Sequence, residues 1–222
     1  MGGDDRPDPA GTERGTERIE LFSDAVFAIA ITLLILEIKV PRAPEATTDL
    51  LRELLGLWPS YFAFVLSFVM IGIYWANHHY VFRLLERTNH SLNLLNLLLL
   101  LCVSFLPFPT AVLGSYMLDE ANQSTAATFY AIGLLLPPVA WALMWLYACY
   151  IGRLVDRRLE PRFLLLLTAQ YIGSVVVYSI AVLLSLVAFR WGLALCVGLT
   201  LLYLMPPDFL ALGATGRGGR RR

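Results

Sequence analysis

Residues 18–36 read RIELFSDAVFAIAITLLIL. The run is apolar enough to cross a bilayer, since about 20 apolar residues in a helix match the hydrocarbon thickness. Yet Ser23 and Asp24 lie about a turn and a half inside its start. A carboxylate at membrane depth costs several kcal/mol, so its position calls for a functional or network role. Phe22, Val26, Ile29, Leu33 and Leu36 recur at i, i+4, i+7, i+11 and i+14 and form one stripe along the helix. Ala25, Ala28 and Thr32 make a strip of small residues beside it. Two readings fit. In the first the stripe meets lipid and the small strip lets another helix approach. In the second the stripe is the wall of a narrow pore whose apolar constriction gates by dewetting.

The rest of the chain fits a membrane setting. Of its 222 residues 58% are hydrophobic and only 15% are charged, with a mean hydropathy of +0.65. A soluble domain of this length could not bury that much apolar surface. Six apolar segments are expected, at 18–39, 54–82, 91–114, 125–150, 163–189 and 191–206. None alternates with the period of a strand, and a lipid-exposed backbone must satisfy its own hydrogen bonds. The fold class is therefore all-α, an integral membrane protein with six transmembrane helices. Trp58-Pro59 suggests an amphipathic start to the second segment. Pro107-Phe108-Pro109 predicts a kink or an early end in the third, and Pro206-Pro207 ends the sixth. Residues 1–17 read as a disordered cytoplasmic tail without signal-peptide character. Residues 18–206 form the transmembrane domain, and 207–222 form a basic cytoplasmic tail.

Basic residues set the orientation. With the N-terminus inside, thirteen of the 17 Lys and Arg residues face the cytoplasm, leaving Lys39, Arg42, Arg52 and Arg190 outside. A net charge of zero gives no footing for nucleic-acid binding. Cys102, Cys149 and Cys196 all fall in apolar segments and read as small hydrophobes, without a disulfide or metal pattern.

The second segment ends WANHHYVFR, which places Trp75, Asn77, His78 and His79 at the depth of Asp24. A network of Asp24, Arg18 and one histidine is expected there, locking two helix ends or responding to pH. Adjacent His78 and His79 point about 100° apart on a helix, so they do not chelate one metal ion easily. The chain lacks HExxH, paired-cysteine and GxSxG motifs. Neighbouring Ser23 and Asp24 point different ways, so a Ser–His–Asp triad is not expected either. No catalytic residues and no cofactor are assigned. Asn93 with Asn96, and Gln170 with Ser174, are spaced for bonds between helices, worth about 0.6 kcal/mol each. Glu37 beside Lys39 lies among headgroups, or draws cations to a pore mouth if the first helix lines one.

Arg18-x3-Phe22-Ser23-Asp24, followed by AVFAIAITLLILEI, resembles the signature of the bacterial TMEM175 family of potassium channels. WANHHYVF and LNLLLLLCVSFLPFPTAVL look like that family's second and third helices. The resemblance covers residues 18–115 by motif and the remainder by span count. It implies a homotetramer in which four first helices line a central pore, without the TVGYG filter of ordinary potassium channels. It places the pore constriction at Ile29, Leu33 and Leu36 and the selectivity position at Thr32. It gives Arg18, Phe22, Ser23, Asp24, Trp75, Asn77 and His78 a structural and gating role. One six-helix repeat holds one first helix, and one helix cannot enclose a pore, so cyclic assembly is required. The expected function is a leak-like potassium-selective cation channel in the plasma membrane, with both termini cytoplasmic. No span carries the spaced arginines of a voltage sensor. The implied partners are other copies of the chain, the lipid bilayer and potassium as permeant ion. The alternatives are a proton-conducting channel or transporter relaying through Asp24 and His78, and a non-conducting membrane scaffold.

Overall fold

The computed structural model describes residues 16–41 and 49–204. Most of the expected N-terminal tail, the whole 207–222 tail and the Pro206-Pro207 stop lie outside those residues. Eight helices are described. They are α1 (Glu17–Leu33, tightening to a 3-10 turn at Leu34–Glu37), α2 (Leu50–Gly56), α3 (Trp58–Phe82), α4 (His90–Phe105), α5 (Pro107–Tyr116), α6 (Gln123–Leu146, widening to a π turn at Tyr147–Ile151), α7 (Pro161–Val187) and α8 (Phe189–Leu204).

Five stretches are long and apolar enough to span a membrane, and Phe189–Tyr203 is a shorter sixth. One boundary differs from the sequence reading, and the expected interruption of the third span is present. The stretch from 54 is divided, because Asp49 caps α2 separately by accepting from the Leu51 amide at 3.1 Å. α3 then begins afresh at Trp58, with Pro59 in the first turn, where its missing N–H removes no helical bond. In the third span Pro107 interrupts the bonding between α4 and α5. Leu106 keeps helical angles (φ −56°, ψ −34°), so the two pieces form one span, His90–Tyr116.

The core is built around α6, which packs on α4, α5, α7 and α8. Tyr130, Leu134, Met144 and Trp145 of this helix are buried. α6 also carries Pro137 and Pro138 in its interior. Pro138 cannot donate to the carbonyl of Leu134, and the Tyr74 hydroxyl of α3 donates to that oxygen instead, at 3.1 Å. A second polar clamp joins α3, α5 and α6. Thr110 donates its hydroxyl proton to the Leu106 carbonyl at 2.7 Å. Ser67 must therefore donate to Thr110 Oγ1 at 2.7 Å, which leaves Tyr130 to donate to Ser67 Oγ at 3.0 Å. All three groups are satisfied in a buried site.

Glycine is needed where helices nearly touch. A Cβ on Gly192 would lie 2.7 Å from backbone atoms of Ser185, across the tight α7–α8 turn. A Cβ on Gly133 would lie 2.7 Å from Pro109 Cγ, where α6 crosses α5. Beyond the helix ends, the Glu86 amide donates to the Leu154 carbonyl (2.8 Å) and the Asp156 amide to the Leu84 carbonyl (3.0 Å). This short bridge ties the end of α3 to the α6–α7 connection.

Candidate functional site

α1 is anchored along one narrow face. Ser23, Phe27, Ala30 and Leu34 are buried against the bundle, at the i, i+4, i+7, i+11 spacing of a single stripe. The anchor is polar at its centre. Asn96 of α4 donates through Nδ2 to Ser23 Oγ at 2.9 Å. Ser23 in turn donates to the carbonyl of Ile19 at 2.7 Å. With the Asn96 amide so oriented, its Oδ1 accepts from His78 Nε2–H of α3 at 2.9 Å. The proton on Nε2 defines the histidine tautomer, and Nδ1 has no hydrogen-bond partner among the described residues. The imidazole stacks on Phe82 (centroids 4.2 Å apart) and meets Phe27 edge-on at 5.4 Å. Ser23, His78 and Asn96 are buried, so the chain of bonds is shielded from water and holds three helices in register.

A second, more exposed contact lies beside it. Trp75 Nε1 donates to Asp24 Oδ1 at 2.9 Å. This replaces the expected pairing of Asp24 with Arg18 and a histidine. Arg18 and Phe22 sit on the exposed side of α1. His79 is exposed and lies 3.9 Å from Glu20 Oε2, while His78 faces the interior. Asn77 is not part of the anchor; it lines a cavity between α3, α6, α7 and α8. Lys39 donates to the Leu36 carbonyl at 3.1 Å, fastening the last turn of the span. Asn96 was foreseen only as a bond between helices and not as the residue that unites the motif. Its depth carried the signal, because Asn96 and Ser23 each lie six residues into helices that both start at the membrane side where α3 ends.

Among the described residues the opposite face of α1 is open. Ile29 is 59% exposed, Leu33 42% and Leu36 63%. Thr32 lies on the same face, its hydroxyl returned to the Ala28 and Ile29 carbonyls at 3.0 and 2.9 Å. A hydroxyl held this way keeps its oxygen lone pairs pointing outward, where a cation can meet them. The bulky stripe, the threonine and the small Ala25 and Ala28 thus share one open surface.

The first helix of this all-α membrane fold is thus gripped from behind and bare in front. Residues 18–107 match the model of the family described as "Endosomal/lysosomal potassium channel TMEM175". A potassium channel of Chamaesiphon minutus is 41% identical over 82% of this chain and 89% of its own. One from Streptomyces collinus is 44% identical over 64% of this chain and 69% of its own. The crystal structure of a lysosomal potassium-selective channel TMEM175 homolog from Chamaesiphon minutus superposes with a TM-score of 0.77 at 39% identity, over 85% of this chain and 96% of that one. The chain belongs to the TMEM175 family, whose members are ion channels and not enzymes.

Proposed function

We propose that the chain is the subunit of a leak-like, potassium-selective cation channel. Four copies bring their α1 helices around one axis, with Ile29, Leu33 and Leu36 as the apolar constriction and Thr32 as the polar contact for a partly dehydrated ion. The observation that carries this reading is the division of α1 into a buried anchor face and an exposed face that holds all four residues. A pore helix must hold one rotation so that the correct side chains face the axis, and the polar anchor on its far side supplies that hold. A wall without a carbonyl cage implies modest discrimination between potassium and sodium. The excess of Arg on one side supports a subunit with both termini cytoplasmic, and its single six-helix repeat fits a plasma-membrane location.

The hydrogen-bonded chain from His78 ends at the Ile19 carbonyl and does not reach Asp24. This argues against the proton relay through that pair. The deciding experiment is the reversal potential of purified protein in a planar bilayer, potassium on one side and sodium on the other. A shift toward the potassium equilibrium potential is expected. A reversal that follows only the pH gradient would replace this reading with the proton-conducting one, and absence of current would favour a scaffold.

A further inference from the structure

An open groove beside α8 is separate from the exposed face of α1. Its volume is about 640 Å³, within the range of roughly 300–1,000 Å³ that holds a ligand of ordinary size. The wall includes Trp58 and Phe62 of α3, Leu118 beyond α5, and a face of α8 that runs from Arg190 through Gly198 to Leu201. Arg190 and Leu201 are 11 positions apart, about 16 Å along a helix. That is about half of a hydrocarbon core roughly 30 Å thick, the depth of one leaflet.

The mouth is polar and the rest of the groove is not. α3 and α8 both begin at this end, where Trp58 and Trp191 are exposed, at the level where aromatic side chains meet headgroups. Arg190 is the one charged residue of the described wall. Its guanidinium carbon lies 5.7 Å from the centroid of the Phe189 ring, which also lines the groove. This cation–π contact holds the charge at the mouth. Among the described residues no carboxylate pairs with it. Gln123, at the start of α6, adds an amide to the same wall. Below the mouth the lining is apolar. Small residues in membrane helices commonly let another helix approach, but a Cβ on Gly198 would meet nothing within 4 Å. Its missing side chain widens the groove instead.

Apolar area alone selects no ligand here, since lipid tails are as apolar as the wall. The selective element is a lone cation at headgroup depth above a trough one leaflet deep. An arginine fork fits a phosphate through two parallel hydrogen bonds. We propose that the groove holds one glycerophospholipid of the bilayer, with an acyl chain along α8 and the phosphate on Arg190 and Gln123. Binding is non-covalent. The site lies within one subunit and needs neither tetramer nor conduction, so it stands independently of the channel reading.

The test is native mass spectrometry of the purified, delipidated protein in detergent, titrated with dioleoylphosphatidylglycerol. A parallel titration uses dioleoylglycerol, which has the same chains and no phosphate. Native protein is expected to retain one phospholipid per subunit and to bind the diacylglycerol about tenfold more weakly. Arg190→Gln should weaken the phospholipid by the same factor and leave the diacylglycerol unchanged. Gly198→Phe fills the trough and should abolish retention of both, with a native melting midpoint because the position is open. Equal retention of the two lipids by native protein, or of the phospholipid by all three proteins, would overturn the proposal. So would a Gly198→Phe protein that keeps its lipid and loses its oligomeric state, which would make the groove a seat for a second copy of the chain. Should Gly198→Phe fail to fold, Arg190→Gln decides alone, since Arg190 is exposed.

Discussion

Asn96 and Ser23, 73 positions apart in the chain, are joined by a 2.9 Å hydrogen bond that fixes the rotation of α1 on α4. The same amide accepts from His78, so one side chain sets the mutual register of three helices.

Asn96→Ala removes both bonds and leaves His78 Nε2–H buried without an acceptor. Bonds between membrane helices average about 0.6 kcal/mol and reach about 1.7, so the expected loss is roughly 1–2 kcal/mol. Thermal melting of the detergent-solubilised protein measures it. An unchanged midpoint would show that packing alone holds α1.

Ile29→Asn changes an exposed side chain and should shift protomer stability by no more than about 0.5 kcal/mol. Current through a planar bilayer should rise, because a polar residue at an apolar constriction favours wetting. Unchanged current would remove Ile29 from the constriction. Thr32→Ala should lower the preference for potassium over sodium, read as a change in reversal potential under mixed-cation conditions.

Trp75→Phe keeps the ring and deletes the bond to Asp24. That contact is exposed in the single protomer, so folding should hold, and if it braces the proposed assembly of four copies, the assembled fraction seen by light scattering falls. A full tetramer with native current would make the contact dispensable.

These predictions rest on residues of unequal legibility. The apolar period of 18–36 and the WANHHYVF stretch disclosed the spans and the two helix ends that meet. Ser23 and His78 were visible as polar residues at matched depth. The pairing of Asp24 with Arg18 failed for a reason open to inspection. Six residues turn an α-helix by about 600°, which separates the two side chains by about 120° around the axis, whereas neighbours need a spacing of three or four. Asn77 misled in the same way, since one step of about 100° from His78 turns it into a different space. The carbonyl freed by Pro138 and taken up by Tyr74 could not be read at all, because only the packed structure shows which hydroxyl from another helix arrives there.

Gly192→Ala forces a methyl group to within 2.7 Å of the Ser185 backbone, which cannot give way as a flexible side chain would. Overpacking of this kind costs about 1–3 kcal/mol. Melting should shift down by that amount, with the α7–α8 hairpin becoming more open to protease. Gly198→Ala, which meets nothing within 4 Å, is the matched control and should be neutral.

Asp119, in the turn between α5 and α6, accepts from the Asn122 amide side chain at 2.7 Å and from the Ala121 backbone at 3.0 Å. The Asn122 bond, then the backbone bonds, hold its carboxyl below the usual carboxylate range. A depressed folded-state value means that the turn's contribution is present above the ordinary carboxylate pKa and fades as pH falls through the folded one. Protection of amides 119–123 against exchange, relative to the unstructured rate at each pH, should fall only in that acid range, and Asp119→Asn should abolish that fall.

The two faces of α1 answer to different demands. Ser23, Phe27, Ala30 and Leu34 are fixed by neighbours within the chain, while Ile29, Thr32, Leu33 and Leu36 are exposed. If that face lines the proposed pore, substitutions on it can retune what passes along the helix without endangering the subunit's own fold. Such a sequence can diversify its permeation properties first and its architecture last.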